Sequence, residues 1–146
     1  MLTLEKKQTI DDFKKIEEGK YCQLIKESEC YLQNAQDALK KAGRENGYYK
    51  DVKYVKSACG IAYLAALLAA DAFLEKYGKK VPDKKGRRHA DNYRELLTKM
   101  NKKVLNSFNS TYYVLHLSGY YDGVLDGKII QRGFEALQEL IDAAKN

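Results

Sequence analysis

From Tyr21 to Ala42 apolar side chains recur at Tyr21, Leu24, Ile25, Leu32, Ala35, Leu39 and Ala42. Steps of three and four put them on one face of a helix, and Tyr31 and Ala38 widen that stripe. Gly43 follows the last of them, where a left-handed C-cap is expected. Upstream, Ile10, Phe13 and Ile16 predict a short helix over about 9–18. Residues 1–20 thus read as an N-terminal extension or short extra helix and 21–146 as the main body. Whether the two join through Gly19 the pattern leaves open.

A second helix is predicted from about Asp51 to Tyr77. Here the apolar pattern loses its polar side: residues 61–70 are all apolar, from Ile61 to Ala70. A helix apolar all round must be covered all round. Either its own chain flanks it completely, or part of it meets a second copy. The second is expected, with Ala62, Ala65, Ala66, Ala69 and Ala70 as the small side chains that let two backbones approach in a homodimer. The third helix is predicted to start at Asn92, with Glu95 completing a capping box. Its stripe of Tyr93, Leu96, Leu97, Met100, Val104, Phe108, Thr111 and Leu115 runs to about Ser118. The fourth opens after Asp126-Gly127 and carries Ile129, Ile130, Phe134, Leu137, Leu140, Ile141 and Ala144. Amphipathic helices joined by short connections predict a single all-α domain over 1–146, an antiparallel up-and-down four-helix bundle with a short extra N-terminal helix.

Composition narrows the class. At 146 residues, 45% of them hydrophobic and 32% charged, with one proline and ten glycines, the chain is neither disordered nor low in complexity. Cys22, Cys30 and Cys59 are an odd set without a C-x-x-C pair, so they read as buried free thiols in a reducing compartment. The first residues turn charged at once, unlike a secretory signal. The apolar run from Ile61 to Leu74 is 14 residues long, short of the 18 or more that a spanning helix needs. A cytoplasmic protein without membrane contact is expected. The net charge of +6 is local: residues 79–103 hold ten basic against three acidic side chains.

Searches for chemistry mostly end in rejection. Gly123 to Ile129 is one residue short of a P-loop and lacks its hydroxyl. Asp122, Asp126 and Gly127 imitate a calcium loop, but Val124 and Gly133 stand where oxygen ligands belong. The cysteines and His89 lack the spacing of a metal site, so no metal, no cofactor and no catalytic residue is assigned. Asp71 reads as the solvent-facing strip of its helix. His116, beside Tyr112 and Tyr113, reads as a hydrogen-bonded residue at the core edge, or else as the proton shuttle of an enzyme. The remaining signal is the basic stretch Lys79, Lys80, Lys84, Lys85, Arg87, Arg88 and His89, flanked by Tyr77 and Tyr93. Cations beside aromatic rings can neutralise phosphates and stack a base. The same charges also suit a merely solvated loop or an acidic protein partner.

Tyr31-Leu32-x-x-Ala35-x-x-Ala38-Leu39 and Ala62-Tyr63-Leu64-Ala65-Ala66 give the region of about 21–145 a pattern that resembles the HEPN group of helical bundles. That group includes the substrate-binding partners of minimal nucleotidyltransferases, and the pattern is also similar to small uncharacterised bacterial proteins of the same architecture. The resemblance implies a bundle that dimerises and, in many members, an RNA-cleaving arginine four to six residues before a histidine. Here His116 has no arginine in the preceding twenty-one residues and His89 directly follows Arg87 and Arg88. The resemblance then implies a non-catalytic branch that binds a nucleotide, RNA or a nucleotidyltransferase-like partner through the 79–89 stretch. The alternatives are a structural subunit of a larger assembly, or a ribonuclease or nucleotide-transferring enzyme built on His116.

Overall fold

The structure, a computed structural model, describes residues 4–82 and 89–146. Helix α1 spans Leu4–Ala42 without interruption. The expected separate N-terminal helix is therefore the first part of α1. Gly19 costs such a helix roughly 1 kcal/mol, and the lysines, glutamates and isoleucine around it are good enough helix formers to carry the chain through. Gly43 ends α1 at φ +67°, the left-handed cap expected of it.

A connection that the helical pattern does not reveal follows. Strands β1 (Arg44–Glu45) and β2 (Tyr48–Tyr49) pair antiparallel around Asn46-Gly47. Both turn residues have positive φ, 53° and 84°, as a two-residue primed turn requires. Helix α2, Val52–Lys76, starts on Asp51, whose carboxylate accepts from the Lys53 amide at 3.0 Å.

The predicted third helix is three pieces. Helix α3 covers Ala90–Met100 and has His89, without a side-chain bond, at its cap instead of Asn92. At Asn101 the backbone turns extended (φ −159°, ψ 112°), and its side chain caps helix α4, Lys102–Ser110, by accepting from the Val104 amide at 3.1 Å. An asparagine that offers its own backbone a side-chain acceptor breaks a helix and starts another. The chain then continues as a π-helix over Thr111–Tyr121. Asp126 caps helix α5, Gly127–Lys145, through the amides of Lys128 and Ile129.

Contacts between distant residues set the directions. Ser28 donates to the Ala65 carbonyl at 2.7 Å and Lys20 pairs with Glu75 at 3.5 Å, so α2 returns along α1. The Tyr93 hydroxyl donates to Asp71 and Tyr120 lies against Gly60, so the third strand of the bundle runs back along α2. Ser107 donates to Glu139, and Gly133 packs on Leu115, which reverses the chain once more into α5. Tyr21 closes the bundle by donating to the Ala144 carbonyl. The protein is an all-α up-and-down bundle, with Leu74, Leu97, Phe108, Leu115, Leu137 and Leu140 fully buried at its centre.

Helix α2 is long and apolar enough to cross a membrane by length and composition, and most of it is buried in the bundle. Its cover comes from its own chain. Ala62, Ala65, Ala66, Ala69 and Ala70 are each 0% exposed, which corrects their expected place at a surface between two copies. Small side chains let α1, α5 and the π-helix close on α2 from three sides. Asp71 is half-buried and accepts from Tyr93 at 2.9 Å, instead of marking a polar strip. The strip of α2 left open carries Leu64, 50% exposed, with half-buried Ile61 and Leu67.

The thiols divide. Cys22 and Cys30 are exposed on α1, against expectation, and Cys59 is buried. Burial pushes the Cys59 thiol up to about 12, and a thiol that stays protonated is a poor nucleophile. Aromatic disulfide reagent at pH 8 should modify two thiols quickly in the folded protein and the third only on unfolding. Three fast thiols would contradict this packing.

Candidate functional site

The basic stretch and the aromatic residues fall apart into different environments. Tyr77, Lys79, Lys80 and His89 are exposed at the ends of α2 and α3, while Lys84, Lys85, Arg87 and Arg88 lie outside the described residues. Tyr93 is 1% exposed. Its ring stacks on Phe108 at 5.4 Å and its hydroxyl is held by Asp71. Tyr93 therefore has no face to offer a base, which corrects its expected place beside the cations. Its position on a helical stripe made it a core residue, and its polar tip needed only one partner to be buried.

A different constellation forms where α2 meets the π-helix. A π-helix bonds i to i+5 and is rare, often marking functional sites; here Asp122 donates to the Leu117 carbonyl at 2.9 Å. This winding brings His116 into a set of tyrosine rings. Tyr63 of α2 stacks on it at 4.4 Å and 24°, Tyr121 meets it edge-on at 5.0 Å, and Tyr112 lies tilted at 5.4 Å. Tyr120 is parallel to it within 8° at 6.2 Å. His116 does stand at the core edge, held among rings.

Two glycines permit this approach. A Cβ on Gly60 would stand 3.0 Å from the Tyr120 ring, and one on Gly119 would stand 2.3 Å from the Cys59 sulfur. Beside the rings lies an open, largely apolar groove of about 500 Å³, a volume in the range of small-molecule sites. Lys56, Gly60, Ile61 and Leu64 line it from α2, with His116 and Tyr120 opposite them on the π-helix. Lys56 supplies a positive rim at one end.

Arg94 of α3 joins the same cluster from the other side. Its Cζ lies 4.1 Å over the Tyr112 ring and 5.6 Å from that of Tyr113. Nε donates to Asn109 and Nη1 to Asp91, both at 2.8 Å. Three separate elements, α2, α3 and the π-helix, thus contribute one cluster of aromatic and basic side chains. Sequence reasoning singled out His116 with Tyr112 and Tyr113, and missed Tyr63, Tyr120 and Arg94. Their spacing in the chain carries no signal of this meeting.

Burial dominates the protonation of the site. It lowers the His116 pKa and raises that of Tyr63 to about 12, where nearby Tyr112 adds to the rise and Arg94 opposes it. His116 is therefore neutral and Tyr63 protonated at neutral pH. A histidine whose folded pKa lies below its unfolded value of about 6.5 binds its proton more readily in the unfolded chain. Its contribution to stability is present above that value and declines as the pH falls from it towards the folded pKa. Thermal unfolding from pH 7 to pH 5 should therefore show a larger loss of Tm in the native sequence than in His116→Gln. Equal losses would remove the histidine from the acid sensitivity.

Among the described residues no group of three His, Cys, Asp or Glu side chains stands close enough to hold a metal ion. Residues 23–146, most of the bundle and all of this site, match the family model described as a domain of unknown function, DUF5618. The chain belongs to the DUF5618 family. A solved structure of a protein of unknown function from Dyadobacter fermentans is similar to this DUF5618 chain: 40% identity, a TM-score of 0.74, and coverage of 84% of this chain and 94% of that one. No curated protein matches it. Neither the DUF5618 description nor that of the Dyadobacter protein assigns an activity.

Proposed function

We propose that this protein is a non-catalytic, HEPN-like binding module that holds a nucleotide, or the bases of single-stranded RNA, in the groove between α2 and the π-helix. One observation carries the reading: the rings of Tyr63, His116 and Tyr120 stand at an open apolar groove with a lysine on its rim. Flat rings stack bases whatever their identity, and cations beside them meet the phosphates. The basic stretch from Lys79 to His89 then serves as a secondary contact for the RNA backbone. His116 has rings around it in place of the carboxylate that would orient it as a general base, which favours binding over cleavage.

The test is fluorescence anisotropy of a labelled short single-stranded RNA at two salt concentrations. Binding should weaken as salt rises. Tyr120→Ala should weaken it about 5- to 100-fold, the range of one lost base stack. No binding at low salt, or full binding by Tyr120→Ala, overturns the proposal. A second reading rests on Leu64, half-exposed beside Ile61 and Leu67: this face joins two copies of the chain as an interaction subunit. Sedimentation at rising concentration tests it: a dimer that Leu64→Glu turns into monomers supports this reading, and a native protein that stays monomeric overturns it.

A further inference from the structure

The end of α1 and the hairpin border a second open cavity, of about 530 Å³. Gln36, Leu39, Lys40 and Gly43 line it from α1 and its cap, and Arg44 and Tyr49 from the paired strands. It shares no lining residue with the groove between α2 and the π-helix. Two of its six lining residues are cations and none is acidic. Lys40 and Arg44 are exposed, beside half-buried Leu39 and buried Tyr49.

The place of Arg44 is fixed from two sides. Its Cζ stands 5.2 Å from the ring centre of Tyr49, its partner across the hairpin. A Cβ on Gly127 would stand 2.7 Å from that same carbon, and the Gly127 amide donates to the Gly47 carbonyl at 2.9 Å. The guanidinium therefore stands at the first residue of α5, the positive end of a helix dipole, where a cation is disfavoured. The first turn of α5 holds no acidic residue, and Asp126 gives its carboxylate to the Lys128 and Ile129 amides. Among the described residues no ion pair joins a carboxylate to Arg44 or Lys40. The Tyr49 ring offsets part of this cost. An anion shared by the two cations offsets more.

We infer that this cavity binds a small phosphate monoester, with Lys40 and Arg44 on the phosphate and Leu39 and Tyr49 beside the organic part. A guanidinium fork meets two phosphate oxygens and an ammonium meets a third. A monoester carries close to two negative charges at neutral pH, which matches two cations better than a carboxylate does. The carbonyls at the end of α1 do not stand against the anion unscreened. Those of Lys40, Ala42 and Gly43 accept from the amides of Gly43, Asp51 and Lys50. The site is independent of the nucleotide reading and stands or falls without it.

Amide NMR titration of the full chain with phenyl phosphate, benzoate, inorganic phosphate and benzyl alcohol tests this. Phenyl phosphate should move signals within residues 36–49 and bind tighter than the other three. Its advantage over the neutral alcohol should be at least about tenfold, since hydrogen bonds to a charged group are worth that much. Arg44→Gln should remove about that factor and leave the alcohol unchanged. Should that variant fail to fold, Lys40→Gln, at an exposed position of α1, must weaken phenyl phosphate likewise without affecting the alcohol. Signals that stay still, or move only along the groove, overturn the inference. So does benzoate or inorganic phosphate bound as tightly as the ester, or an affinity for the ester that neither variant lowers.

Discussion

Phe108→Ala should lower the free energy of unfolding by about 3–5 kcal/mol, the range for deleting a fully buried aromatic ring. Phe108 is 0% exposed and stacks on Tyr93 at 5.4 Å and 19°. Removing it leaves a cavity between α3 and α4 and frees the ring whose hydroxyl ties α3 to Asp71 of α2. Since a domain of this size is stable by roughly 5–15 kcal/mol, that single change removes a large share of the total. Urea unfolding should show a lower midpoint at an unchanged slope. The obvious leucines of the apolar run are poorer places for this experiment. Leu67 is half-buried and Leu64 half-exposed, so their truncation should cost far less than that of a fully enclosed side chain. A loss under about 1 kcal/mol in Phe108→Ala would contradict the packing of α3 on α4.

Gly119→Ala carries the second large effect. The added methyl would stand 2.3 Å from the Cys59 sulfur and 2.7 Å from its Cβ. Neither atom is the free end of a long side chain, so the π-helix has to move off α2. Overpacking of this kind costs about 1–3 kcal/mol. The displacement also draws Tyr120 away from Gly60, so ligand binding in the groove should fall along with stability. Gly19→Ala is the control. Beyond its chain neighbours and the backbone of its own helix, nothing lies within 4 Å of its Cβ position in α1, and the change should stabilise the helix by about 0.5–1 kcal/mol. Thermal unfolding of the two variants should shift in opposite directions. A Gly119→Ala protein as stable as the native one would remove the close contact between α2 and the π-helix.

Much of the scaffold was legible in the order of residues. The apolar stripe of α5, its Asp126 cap, the extent of α2 and the left-handed Gly43 all follow from local rules of period and capping. The hairpin was legible too: Asn46-Gly47 between Glu45 and Tyr48 is a strong short-range turn signal, overlooked beside two dominant helices. The division of the third helix was harder. Its stripe passes from Met100 to Val104 and Phe108 at helical spacing, and only the competition at Asn101 breaks it. A side chain that bonds its own backbone leaves the hydrophobic period intact.

The candidate site was scarcely legible. His116 stood out, but its companions come from α2, α3 and both ends of the π-helix. Tyr93 and Arg94 are neighbours in the chain with opposite fates: the first is enclosed against Phe108, and the second faces the tyrosines. A single residue's step, about 100° of helix rotation, separates core from site, and residue type alone does not reveal which side is covered. The alanines of α2 make the same point, since a small residue serves equally well against a neighbouring helix of one's own chain or of another.

The order of amino acids by itself determined a helical protein, the ends of its two best-defined helices and the excess of charge in one segment, because period, capping and composition act over a few residues. Only the tertiary structure decided which face of α2 stays open, that the third helix unwinds into a π-helix, and that an arginine, a histidine and five tyrosines meet in one cluster. Those outcomes depend on which helices close on which, and packing is settled between residues far apart in the chain.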